Sequence, residues 1–208
     1  MIRRFEIIQG EETEIEISEY KSNPTVEITK DNVEELVYQL PKHTLVHIPG
    51  PDGSEHPEWE KIIKKWGKMF VTYDAPGMKD LIGVKVTPSI VFFPKSVAKK
   101  KVMKTAFTSK DSLENIHDEI YSMLDDFTVP LTNGIEMQKH TGIHLQDEKY
   151  VAVLFHQDEI PLPYKIISND DIFEEDVTFF RMKNPDSQVM EQFQIKKLPS
   201  LIIMMIDK

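Results

Sequence analysis

"GVKVTPSIVFF" (residues 83–93) returns as "QIKKLPSLIIM" (residues 194–204): an apolar residue, a lysine, two further residues, Pro-Ser, then an apolar strand, 111 positions later. Other runs recur in the same order. "TLVHI" (44–48) is matched by "YVAVLF" (150–155), and "MFVTY" (69–73) by "VTFFR" (177–181). Three strands in one order at similar spacing mark two copies of a single domain.

Between these strands the periodicity turns helical. In "PEWEKIIKKW" (57–66), Trp59, Ile62, Ile63 and Trp66 fall at i, i+3, i+4 and i+7 and form one helix face. "SKDSLENIHDEIYSML" (109–124) is a second helix, with Ser109 or Asp111 near its start and Leu113, Ile116, Ile120, Met123 and Leu124 on one side. "TVEITKDNVEELVYQL" (25–40) reads as a brief strand and a helix, with Asp31 as N-cap and Pro41 as its stop. "KKKVMKTAF" (99–107) completes a hairpin with "SIVFF". Early crossovers imply parallel strands and the late hairpin an antiparallel pair, so each domain is expected to be α/β, a mixed sheet flanked by helices.

The second copy runs through "GIEMQKHTG" (a short helix), "YVAVLF", "LPYKIISND" (a weak helix), "VTFFRM", "SQVMEQFQI" and "SLIIMMI". No counterpart of "KKKVMKTAF" and its helix follows, so the second domain is expected to be incomplete, truncated from a longer polypeptide or completed by a strand from another chain. The expected divisions are 1–22, an N-terminal hairpin or extension; 23–127, the first domain; and 128–208, the truncated second domain.

Composition excludes several function classes. The chain has no cysteine, which removes disulfides, thiolate nucleophiles and cysteine-ligated zinc. Its 25 basic and 35 acidic residues give a formal charge of −10, which repels nucleic acid and anionic membranes. No apolar run approaches the roughly 20 residues needed to cross a bilayer, so no membrane insertion by this chain is expected.

The "IGVKVTPSIVFF" segment is similar to the thioredoxin fold as used in protein disulfide isomerases, where a basic residue and short spacer precede a cis-proline and its strand. By that resemblance Pro88 and Pro199 are the cis-prolines. The helix "HPEWEKIIKKWGK" then resembles the active-site helix, with Pro57 at its mid-helix proline. "PGPD" (49–52) falls where a thioredoxin has Cys-Gly-Pro-Cys: Gly50 and Pro51 remain, and Pro49 and Asp52 replace the thiols. "HQDEIPLPY" (156–164) occupies the second loop, also without thiols. The pair resembles the non-catalytic modules of disulfide isomerases and, loosely, the thioredoxin-like modules of endoplasmic reticulum J-domain proteins, although the chain carries no J domain.

Disulfide exchange needs a thiolate, which a proline ring or a carboxylate cannot supply. "GPDG" lacks the Lys-Ser/Thr of a P-loop, and Asp52 and Glu55 would repel phosphate, so the turn reads as a helix start capped by Asp52 or Ser54. His140 and His144 stand four apart, but Gly142 between them and the absence of an adjacent glutamate favour surface histidines over a metal pair. His43, His47, His56, His117 and His156 read as scattered, and no cofactor pattern is present. The expectation is therefore a redox-inactive binding module and not an enzyme, with polypeptide clients or neighbouring protein domains as partners. By resemblance the client surface comprises Ile48, Pro49, Thr87 and Pro88 in the first domain and Phe155, Leu198 and Pro199 in the second. The alternative is a purely structural role in a larger assembly. The resemblance implies the endoplasmic reticulum lumen, with the cytoplasm as the alternative.

Overall fold

The computed structural model describes residues 2–7, 28–33, 42–67, 69–95, 104–146, 150–170, 173 and 175–206. The chain divides into two compact units, Ile17–Leu124 and Met1–Glu16 with Asp125–Lys208.

In the Ile17–Leu124 unit, β2 (Thr44–Ile48), β3 (Val71–Asp74), β4 (Ser89–Phe93) and β5 (Thr105–Thr108) form a sheet in the order β3-β2-β4-β5. β2 and β3 are parallel; β2 and β4, and β4 and β5, are antiparallel. Every residue of β2 and β4 is buried because both faces of the sheet are covered, so these strands read as continuous apolar runs instead of alternating ones. One face packs Val46, Ile48, Val91 and Phe93 against Ile28, Val33, Ile82 and Val84. α1 (Trp59–Trp66) buries Trp59, Ile62 and Trp66, and α2 (Lys79–Ile82) ends at Gly83, whose φ of 74° suits a residue without a side chain. α3 (Leu113–Met123) is capped by Ser112, whose side chain accepts from Asn115 N–H. Neither Ser109 nor Asp111 caps it, because the Asp111 carboxylate is taken by the Thr108 N–H and hydroxyl at 2.7 and 3.0 Å. The expected helix over 33–40 lies mostly outside the described residues.

The other unit holds a five-stranded sheet ordered β1-β9-β7-β8-β6: β1 (Ile2–Ile7), β6 (Val129–Leu131), β7 (Tyr150–His156), β8 (Val177–Lys183) and β9 (Ser200–Ile206). β7, β8 and β6 run parallel, while β9 is antiparallel to β7. α4 (Gly134–Gln146), α5 (Leu162–Ile167) and α6 (Ser187–Gln192) complete it. The core joins Val151, Val153, Phe155, Phe180, Ile202 and Met204 to Met137, Leu145 and Val189. α4 continues through Gly142, longer than the short helix expected, because its Met137, Thr141 and Leu145 lie buried one turn apart. β6 is a strand that the sequence pattern does not show: three residues at a sheet edge are too few for alternation.

The two sheets share one plan. β7, β8 and β9 repeat β2, β3 and β4, with Ile48 opposite Ser89 and Phe155 opposite Ser200. The place beside β9, which corresponds to that of β5 beside β4, is filled by β1, antiparallel over Ile2↔Ile206 to Ile7↔Leu201. That strand comes from the opposite end of the chain. The rest of the expected 1–22 hairpin, residues 8–22, lies outside the described residues.

Candidate functional site

The Pro49–Ser54 turn leaves the end of β2 and closes on itself. Gly50 N–H donates to Ser54 O (2.8 Å), Gly53 N–H to Gly50 O (2.9 Å), and Ser54 N–H to Asp52 Oδ1 (3.0 Å). Hydrogen bonds from Ser54 hold the Asp52 carboxyl below its usual range. At Gly50 a Cβ would crowd the Ser54 hydroxyl and Asp52 carboxylate tips and would lie 3.6 Å from the Pro88 ring. Gly53 takes a φ of 81°. The turn is thus seated directly against Pro88. The Thr87–Pro88 and Leu198–Pro199 peptide bonds are cis.

The helix does not begin at this turn. α1 starts at Trp59, its N-cap Glu58 makes no side-chain cap, and neither Asp52 nor Ser54 reaches it. Pro57 therefore precedes the helix and is not a mid-helix proline. Gly53 takes a positive φ that no helix contains, and residues 54–56 after it lie outside any regular element. A helix N-terminus that would favour an anion or thiolate at position 52 is missing along with the thiol itself.

Beneath the turn, two histidines that look unrelated in sequence meet. His47, on β2 and 2% exposed, donates from Nδ1 to Asp74 Oδ1 at 2.9 Å and stacks on Trp59 with centroids 5.0 Å apart. Its Nε2 accepts the His56 N–H at 3.2 Å, so the ring proton sits on Nδ1. His56 has the opposite tautomer: Nδ1 accepts Glu58 N–H (3.2 Å), and Nε2–H donates to Thr108 O (2.7 Å). Burial lowers the His56 pKa, the Thr108 carbonyl partly opposing it and His47 adding to it. Every ring nitrogen of the pair is occupied by protein, and the Thr108 hydroxyl is committed to Asp111. The network ties β2, β3, the turn and β5 together and offers no free base or nucleophile.

In the other unit His156 follows Phe155 as Pro49 follows Ile48. Its Nδ1–H donates to Asp158 O at 3.0 Å, and its Nε2 is buried with no hydrogen-bond partner among the described residues. Burial lowers its pKa, opposed by Asp158 O and reinforced by Arg181 and Lys183. Arg181 itself is held by Thr128 Oγ1 and Asp126, each at 2.9 Å. Tyr164, whose hydroxyl donates to Ala152 O (3.0 Å) and Phe180 O (2.6 Å), fastens α5 to the sheet, and burial raises its pKa far above the usual range. His140 and His144 do lie on one helix, but they flank the Phe180 ring, and no cluster of three metal-ligating groups exists among the described residues. No described helix is long and apolar enough to cross a membrane.

The expected client surface separates into two sets. Ile48 and Phe155 are 0% exposed and belong to the cores, so they are withdrawn from any surface: as the last inward residues of β2 and β7 they point into the sheet interior. Pro49, Thr87 and Pro88 are half-buried and adjoin the turn; Leu198 is half-buried against its core and Pro199 is exposed. The structure adds two exposed apolar residues that sequence reasoning missed, Val86 (51% exposed), two positions before Pro88, and Leu81 on α2 (43%). Their apolar neighbours in the chain are buried, so periodicity could not tell them apart from the core.

No family model and no curated protein matches the sequence. Solved structures do. The crystal structure of full-length ERdj5 is 17% identical, with a TM-score of 0.54 over 89% of this chain and 29% of that one. ERdj5 form I gives 17% and 0.54 over 89% and 27%. Human ERp44 form I is 15% identical over 88% and 49%, at a TM-score of 0.40 that carries no argument. The chain spans less than a third of the length of the ERdj5 structures it matches. At these identities the likeness speaks for architecture alone, and the architecture of this chain is thioredoxin-like: α/β, with mixed sheets flanked by helices.

Proposed function

We propose that this chain is a redox-inactive thioredoxin-like module that binds extended or unfolded polypeptides without covalent chemistry, and that it acts as a binding module and not as an enzyme. The observation that carries the reading is the surface around Pro88. Val86 stands exposed next to half-buried Thr87 and Pro88, Pro88 lies against Gly50 of a turn that has no thiol, and Leu81 on α2 is a further exposed apolar residue. Apolar groups clustered beside a rigid turn suit apolar side chains of a partner. A place in the endoplasmic reticulum lumen is part of the proposal, supported by the fold likeness to ERdj5, and is tested by fractionating cells that express the protein.

Val86→Asp is the direct test. Placing a charge in the centre of an apolar contact is expected to weaken binding of an unfolded client at least about tenfold, or roughly 1.4 kcal/mol. Because the position is exposed, stability should change by less than about 0.5 kcal/mol. Unchanged affinity in a folded Val86→Asp protein would remove this surface from the function.

A further inference from the structure

We propose that the outer edge of β9 is a strand-accepting slot, filled in this structure by the chain's own N-terminal strand and able to take an extended segment of another polypeptide instead. This rests on sheet topology and is independent of the reading of the Pro88 surface.

In the Ile17–Leu124 unit the equivalent edge, that of β4, is covered by β5, the next strand in sequence. The connection from Phe93 to Thr105 keeps β5 close to that edge. The edge of β9 is covered by β1, which lies at the far end of the chain, so no short connection enforces the contact. What joins them is an antiparallel backbone ladder of six register pairs. Main-chain hydrogen bonds of this kind tolerate many sequences, and an uncovered edge is a template for any extended chain.

The slot has a definite chemistry. Ile202 and Met204 are buried on the core side of β9, while Leu201, Ile203 and Met205 are half-buried on the other. An incoming strand thus has apolar cross-strand neighbours on both faces, which favours β-branched, aromatic or methionine-rich segments. The occupant is an extended polypeptide, and β1, "IRRFEI", is the built-in example, with Phe5 and Ile7 in register with Ile203 and Leu201, and Arg4 and Glu6 in register with Met204 and Ile202.

The test uses the full chain with Arg4→Pro or Phe5→Pro. Successive residues of a strand direct their N–H groups to opposite sides, so one of these two positions aims its N–H at β9, and proline there removes a ladder bond. A fluorescent peptide of residues 1–8 is titrated into each protein by anisotropy, with hydrogen exchange followed on β9. At least one proline variant is expected to bind the peptide at least tenfold tighter than the unsubstituted chain. In that variant alternate β9 amides should exchange faster, and the peptide should slow them again. Equal binding by all three proteins, or β9 amides that stay protected in both variants, would overturn the proposal. Val86→Asp leaves this binding unchanged, so failure of the slot and failure of the Pro88 surface are distinguishable.

Discussion

Replacing His56 by alanine tests whether the region under the turn is a closed structural network. The imidazole satisfies two backbone groups, the Thr108 carbonyl at 2.7 Å and the Glu58 N–H at 3.2 Å, at a site only 2% exposed. Each group left without a partner costs about 1–3 kcal/mol. Water entering from exposed residues 51–55 offsets part of this, so we expect a loss of about 2–4 kcal/mol. With a urea m-value of about 1.5 kcal/mol/M, the midpoint should fall by about 1–3 M. Both tryptophans of the chain, Trp59 and Trp66, lie on α1, so their fluorescence reports this unit. Protonation imitates the substitution. Since burial sets the folded pKa of His56 below its ordinary value, the unfolded chain takes up the proton first. Its contribution to stability is full above about pH 6.5 and is lost as pH falls through the lower folded pKa. The gap between the unsubstituted protein and His56→Ala should therefore be wide at pH 8 and narrow at pH 5. A change below about 0.5 kcal/mol at pH 8, or a gap that widens on acidification, would refute the reasoning.

Other consequences follow from the same geometry. Tyr164→Phe removes the hydroxyl that bridges the Ala152 and Phe180 carbonyls and should cost about 1–3 kcal/mol in thermal unfolding followed by circular dichroism; a loss under about 0.5 would show the bridge to be dispensable. The imidazole of His156, buried beside Arg181 and Lys183, should titrate below its ordinary value by NMR, and a pKa above 6.5 would contradict its placement. Pro49→Cys with Asp52→Cys should give thiols titrating near the ordinary value of about 8.5, because no helix begins at residue 52; alkylation rates indicating a pKa below about 7 would mean that a helix N-terminus does act there.

The elements legible in sequence were those with an unambiguous period or a repeat. β2, β4, β7 and β9 are apolar at nearly every position because they lie between covered faces, and the Lys-x-x-Pro-Ser repeat aligns the two sheets. Thioredoxin-like architecture followed from that order. What escaped notice was what one-dimensional spacing does not encode. The His47–His56 contact joins a strand to a loop nine residues away through a backbone N–H, and neither residue type nor spacing announces it. Helix α1 starts late because Gly53 adopts positive φ, a choice its sequence neighbours do not reveal. Ile48 and Phe155, placed on the client surface by resemblance, are core residues because both faces of their strands are covered. β1 pairs with a strand almost two hundred residues away, a partnership that local pattern cannot show.

Titration of 15N- and methyl-labelled protein with an unfolded, cysteine-free client, followed by NMR, decides whether the Pro88 surface binds polypeptide. Saturable shifts concentrated at Val86, Thr87 and the Pro49–Ser54 turn, abolished by Val86→Asp, are expected. Absence of saturable binding, or shifts that bypass this surface altogether, would contradict that role.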